Sequence, residues 1–363
     1  MTHLNIPVGI SDFAEIRQNG YYYVDKTGLI AEVLKAQAVK VTLITRPRRF
    51  GKTLGMSTLE NFFSIRKDSA VLFQGLGIMN ASALCQKWMN QCPTIFISFK
   101  DVDGLTFDSA YGMLEATIAE LFRKYTDLLD SENDKEAFRR ILKGEAGTTG
   151  IKKSLSLLMR MLSDHYGKQV VLLLDEYDVP VAKASNHHYY QEMLEVVKAM
   201  MSTALKDNNA LQFAIITGCL KIAKESIFTE TNNFVSDTIT SSRLNEYFGF
   251  TQDDVDRILR DADAKDHAEA MKYWYDGYHF GDFDVYCPWD VMNYLFDLSN
   301  DPKARPASYW KNTSDNAIIR SFIDYSGSSI TGKLETLLAG GTISQKIEEN
   351  LTYDLLHVHK NQK

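Results

Sequence analysis

The sequence predicts an α/β fold: a parallel sheet with helices on both faces, followed by a mainly helical region. Two observations carry this. Four short apolar runs, at 38–46, 93–99, 169–178 and 212–218, are apolar on consecutive residues, as in strands buried on both faces. Long segments with helical periodicity lie near or between them, at about 105–128, 134–143, 150–166 and 187–206. Strands separated by helices long enough to cross back over a sheet pair in parallel.

In order along the chain, the stretch "GISDFAEIRQNGYYYVDKTGLIAEVL" comes first. In it Asp25 or Thr27 is placed to cap a helix whose apolar face is Leu29, Ile30, Val33 and Leu34. The run "AVKVTLITR" is the first strand. After Gly51, "KTLGMSTLENFFSI" carries Leu54, Leu59, Phe62 and Phe63 at helical spacing. Near residue 248 the character changes, and a division into 1–248 and 249–363 is expected. Thr251 and Asp254 read as a capping box that opens a helix. "AEAMKYWYDGYHF" reads as another helix, and "DFDVYCPWDVMNYLF" as a short strand, a turn at Pro288 and a helix. The chain closes on a polar run, "NLTYDLLHVHKNQK".

Bulk composition narrows the function classes. The 363 residues are 45% hydrophobic and 24% charged, with a formal net charge of -7. A sizeable core is available, and any contact with phosphates has to use a local basic patch. Net charge does not support a general nucleic-acid binder. The four cysteines, Cys85, Cys92, Cys219 and Cys287, form no C-x-x-C pair, which fits a reducing, cytoplasmic setting. No signal peptide or membrane-spanning stretch is read, and no fixed-period repeat or low-complexity tract.

The chemistry-bearing residues begin at "TRPRRFGKT", 45–53. Gly51, Lys52 and Thr53 match the tail of G-x-x-x-x-G-K-[ST]; Arg46 stands where the first glycine belongs. In such a loop backbone N–H groups wrap phosphates at a helix N-terminus. The lysine reaches the β- and γ-phosphates, and the hydroxyl ligates Mg²⁺. The loop residues Arg46, Pro47, Arg48, Arg49, Phe50, Gly51, Lys52, Thr53 and Leu54 are therefore candidate nucleotide contacts. The bland reading is a basic surface loop between strand and helix.

A second signal is "VVLLLDEYD". Asp175 is placed to hold Mg²⁺ together with Thr53, and Glu176 to polarise the attacking water; acids that merely solvate a strand end are the alternative. Thr217, ending "FAIITG", is a candidate γ-phosphate sensor or part of a plain turn. Arg243 is open to two readings, a γ-phosphate contact in cis or from a neighbouring subunit, or a solvated surface arginine. His187 and His188 are adjacent and share no helix face, so they read as helix-opening residues rather than a metal site. The aromatics of "WYDGYHF" and "YCPW" fit either a base-stacking platform or the packing of a small lid. Arg46, Arg48 and Arg49 fit either a nucleic-acid patch or, more simply, a role near nucleotide phosphates.

With these residues assembled, the chain resembles the bacterial AAA-ATPase-like proteins that usually carry a C-terminal PD-(D/E)XK nuclease-like domain. The resemblance lies in "TRPRRFGKT", "LLLDEYD", "ITGCLKIAKESIF", "NNF", "YFGFT", "WYDGYHF" and "VYCPWDV", spanning about residues 5–355. It implies an AAA-like P-loop NTPase core with a strand inserted between the P-loop and acid-bearing strands, followed by a helical lid. It also implies that the loop tolerates Arg46 in the glycine's place. The nuclease-like module is not read in this sequence, which is expected to stop before it.

The expected function is ATP binding with slow Mg²⁺-dependent hydrolysis, used as a conformational switch. ATP is favoured over GTP because no N-K-x-D-type motif is present. The rival readings are a non-hydrolysing regulatory module and a nucleic-acid-binding component of a defence or mobile-element system. A protein partner or homo-oligomer is open; a membrane is not expected. If Arg46 cannot turn as glycine does, the loop should leave its strand differently, with Arg46 or Arg48 near the phosphates.

Overall fold

The computed structural model describes residues 4–35, 39–130, 134–220, 234–310 and 328–344. The quoted residues 221–233 and the closing polar run lie outside the described residues.

Five strands form one sheet: β1 (Val41–Thr45), β2 (Thr94–Ser98), β3 (Val170–Asp175), β4 (Leu211–Gly218) and β5 (Phe234–Asp237). The order is β2-β3-β4-β1-β5, every pair parallel. This is the expected fold class, an α/β sheet of P-loop NTPase type, and β4 is the strand inserted between β1 and β3. The runs of β1 and β3 are buried at every position, and the pleat explains the lack of alternation. Val170, Leu172 and Leu174 point to one face, into a core with the helices Phe107–Arg123, Ser154–Tyr166 and Tyr190–Leu205. Val171 and Leu173 point to the other, onto the helices Gly28–Lys35 and Lys52–Phe63.

Register then lines up the chemistry. In the parallel ladders Thr45 of β1 lies beside Gly218 of β4, Ile44 beside Thr217, and Ser98 of β2 beside Asp175. All these strand ends open on one edge of the sheet, the edge where α/β folds bind ligands.

Past residue 248, another core forms from Phe250, Val255, Ile258, Tyr275, Tyr294 and their neighbours. The Thr251–Asp254 capping box is present, with both reciprocal bonds. Two expectations need correction here. "WYDGYHF" is not helical throughout: the helix Ala268–Tyr275 gives way to β6 (Asp276–Phe280), which pairs antiparallel with β7 (Phe283–Tyr286). Pro288 is not a turn residue but opens the helix Pro288–Asn300, where its missing N–H costs nothing. The N-terminal segment ties to this region: the Lys26 ammonium bonds the Asp254 carboxylate at 2.5 Å and the Glu246 carbonyl at 2.6 Å. Tyr22 donates to Asp261. Among the described residues no helix is long and apolar enough to cross a membrane.

Leu172 sits at the centre of the sheet with no exposed surface. Leu172→Ala should lower unfolding free energy by about 2–5 kcal/mol, the range for a buried leucine that leaves a cavity. A chemical-denaturation midpoint that does not move would contradict the burial described here.

Candidate functional site

The loop after β1 does not turn where an ordinary phosphate loop does. Arg46 N–H donates to the Gly218 carbonyl at 3.2 Å, so the chain stays beside β4 for one more residue. Its φ is not positive; the left-handed turns come later, at Arg49 (φ 72°) and Gly51 (φ 80°). Gly51 suits that angle, whereas Arg49 carries strain of about 1–2 kcal/mol. The helix Lys52–Phe63 starts immediately afterwards.

The Arg46 side chain is fully buried and points away from the loop's hollow, so the expectation of an Arg46 guanidinium beside phosphates is not met. It donates to the carbonyls of Thr45 (2.8 Å) and Asp237 (2.9 Å) and to Asn245 Oδ1 (2.7 Å). The rings of Phe248 and Phe280 lie 5.5 and 5.7 Å from its guanidinium carbon. Burial lowers its pKa to about 10, partly offset by Asp237, which leaves it charged at neutral pH. Phe50 is buried against Tyr278 and Phe280 of β6, and the Arg49 guanidinium lies 3.8 Å from the Trp289 ring centroid. Arg49 and Phe50 thus fasten the loop to the region beyond residue 248, and Arg46 fastens its base to β5 and Asn245.

On the hollow side, the Lys52 ammonium donates back to the carbonyls of Arg46 (3.0 Å) and Pro47 (2.9 Å), and lies 3.7 Å from Cys219 Sγ. Thr53 Oγ1 donates to Asp175 Oδ2 at 2.8 Å, and Thr217 Oγ1 donates to Asp175 Oδ1 at 2.5 Å. Ser98 Oγ is 3.4 Å from Asp175 Oδ2. Asp175 itself is fully buried. The structure therefore brings Lys52, Thr53, Asp175 and Thr217 to one place. The donor set around Asp175 is hard oxygen, carboxylate and hydroxyl, which is the kind that suits Mg²⁺.

Glu176 follows in a left-handed conformation, φ 53°, and lines the same cleft. A strained non-glycine residue at such a position points towards function. Burial first, and then the charge of Asp175, raises its pKa, while Lys52 and Arg48 pull it down. Two residues that the sequence reading passed over hold this turn. Asp178 Oδ2 accepts the N–H groups of Cys219 and Leu220, both at 3.0 Å, and Tyr177 Oη donates to the Leu220 carbonyl. Asp178 is buried, and that burial raises its pKa. The second aspartate of "DEYD" was the available signal.

The cleft runs from Gly51–Gly55 and Glu176 to a wall of Val8, Ile10, Met292 and Trp289, and its volume is about 260 Å³. That wall comes from the N-terminal segment and the helix Pro288–Asn300, which no local pattern links to the loop. Pro47 and Arg48 are half-buried; Leu54 lines the cleft. Arg243 is paired with Asp237 at 3.2 Å. His187 and His188 lie just before the helix Tyr190–Leu205, and no cluster of metal-ligating side chains occurs among the described residues.

The model of a family described as "Predicted AAA-ATPase" matches residues 7–228. A relative from Azotobacter chroococcum mcd 1, described as "Uncharacterized protein in vnfD 5'region", is 31% identical over 295 residues. The alignment covers 80% of this chain and 52% of the relative, so the chain spans about half that protein's length.

Replacing Arg46 removes donors from three buried acceptors. Arg46→Ala should therefore destabilise the fold by about 2–4 kcal/mol, the effect of stranding buried polar groups. Thermal unfolding of the variant reads this directly. An unchanged midpoint would mean that the guanidinium is not a structural anchor.

Proposed function

The chain belongs to the predicted AAA-ATPase family, and from that premise we propose that it binds ATP with Mg²⁺ and hydrolyses it slowly as a conformational switch. The observation that carries this reading is the contact of Thr53 Oγ1 with Asp175 at 2.8 Å, beside a lysine that closes on its own loop's carbonyls. A hydroxyl and a carboxylate so placed on neighbouring elements are suited to one magnesium shell, and Lys52 has only to swing from two carbonyls to the β- and γ-phosphates. Mg²⁺, when bound, neutralises phosphate charge.

Each remaining residue has a role on this reading. The N–H groups at Gly51 and the helix start cradle the phosphates. Thr217 senses the γ-phosphate through its bond to Asp175. Glu176, whose side chain makes no hydrogen bond among the described residues, orients the attacking water and takes its proton. The apolar wall of Val8, Ile10, Met292 and Trp289 fits a purine ring. Because Arg49 and Phe50 contact the region beyond residue 248, a change in the loop would be felt there, which is what a switch requires. The division near residue 248 is kept as a proposed boundary, and a cytoplasmic location as a proposal. The nucleic-acid reading relied on an exposed arginine patch. Arg46 is buried and Arg49 lies over Trp289, so no such patch favours it.

Lys52→Ala should weaken ATP binding by roughly tenfold to a hundredfold, the effect of losing one or two charge-assisted contacts. Calorimetry giving wild-type affinity would remove the phosphate-loop assignment. Glu176→Gln should keep ATP binding and lose turnover.

The pH dependence follows from the same residue. A general base works ionised, and the pKa of Glu176 is raised. Turnover should therefore fall with acidification through a midpoint above the ~4.3 of a solvated glutamate. An acid limb centred at or below that value would contradict a buried Glu176 base.

A further inference from the structure

The helix Pro288–Asn300 presents Trp289, Met292 and Asn293 to the cleft, at the spacing that puts side chains on one helix face. Asn293 is half-buried and is the single side-chain amide among the described residues that line the cleft. Its Nδ2 donates to the Trp289 carbonyl at 2.7 Å. A carbonyl only accepts, so this bond fixes which end of the amide is which. Asn293 Oδ1 accepts no hydrogen bond among the described residues. The residue that supports it is itself held on two sides. Trp289 Nε1 donates to the Tyr309 carbonyl at 3.2 Å, and the Arg49 guanidinium lies 3.8 Å from the ring centroid.

Other polar side chains of the cleft are less able to select a base. Lys26 is held by Asp254 and the Glu246 carbonyl, Tyr22 by Asp261, and Thr58 by the Leu54 carbonyl. The hydroxyls of Ser11, Tyr23 and Tyr247 rotate, so each can donate or accept. An amide tied at one end lacks that freedom. It offers an acceptor, Oδ1, beside the second Nδ2 proton. Adenine presents the complement, its N6 amino donor next to a ring nitrogen that accepts. Guanine in the same place would turn O6, an acceptor, towards Oδ1. Reversing the amide to suit it would set Oδ1 against the Trp289 carbonyl, acceptor against acceptor.

We propose that Asn293 selects the base: Oδ1 accepts from the adenine N6 amino group, the free Nδ2 proton goes to the neighbouring ring nitrogen, and guanine is refused. This rests on the ATP-binding reading and goes beyond it by placing base selection in the region beyond residue 248, away from the phosphate loop.

The test measures, on the full chain with Mg²⁺, the affinities of ATP, of GTP and of purine riboside triphosphate, which lacks the 6-amino group. The wild type should hold ATP roughly tenfold or more tighter than either of the others. Asn293→Leu keeps the side-chain volume and removes both polar groups. It should weaken ATP by about tenfold and leave the other two no weaker, so that the three affinities converge. Asn293→Ala serves if the leucine variant unfolds. The proposal is overturned if the wild type binds the three equally or if the variant keeps the wild-type preference. It is also overturned if all three affinities fall together, as loss of a ribose contact or of the wall's shape would cause. A wild type that binds none of the three overturns the ATP reading itself, an outcome distinct from all of these.

Discussion

The burial of one guanidinium decides the shape of the carboxyl edge of the sheet. Arg46 continues the β1–β4 ladder for one residue and then sends its side chain into a cage of carbonyls and aromatic rings. A charge removed from water this completely is tolerated because its donors at Nη1 and Nη2 meet oxygens of the chain itself. The loop therefore turns later, at Arg49 and Gly51, and the Arg46 side chain at its base bonds β5 and lies near Phe280 of β6. Glycine at position 46 could supply the turn but not the anchor.

That anchor gives the region beyond residue 248 its meaning. Phe50 in the aromatic cluster of β6 and Arg49 over Trp289 make the loop and the C-terminal elements one packed body. From the other side, the N-terminal segment reaches the same elements through Lys26 and Tyr22. The cleft is consequently built by three stretches distant in sequence that meet only in the fold. Opposite, Asp178 and Tyr177 tie the turn after β3 to the exit of β4, so Glu176 and Thr217 are positioned together.

Much of this was legible in the sequence, for physical reasons. Strands buried on both faces are apolar at every position, so β1 and β3 announce themselves, and the acids ending β3 stand out against them. Gly51-Lys52-Thr53 between such a strand and an apolar helix fixes the loop. What escaped had no local signature. The edge strand β5 is four residues long, "FVSD", too short and polar to register. β6 follows directly on a helix, so its aromatics read as more helix, whereas its partner β7 reads as a short strand. The helix Val179–Asn186 hides behind the acids of "DEYD" and a proline that its first turn tolerates. The burial of Arg46 depends on Asn245, Phe248 and Phe280, some 200 residues away, and no periodicity in the loop reports such partners.

The central claim is that this arginine-rich loop holds a triphosphate against Asp175. The most direct measurement is isothermal titration of the wild-type chain with ATP, in the presence and absence of Mg²⁺. The account predicts saturable binding at one site per chain, tightened by Mg²⁺ because Thr53 and Asp175 would share the ion's shell. Absence of binding heat under both conditions, with the protein shown to be folded, would contradict it.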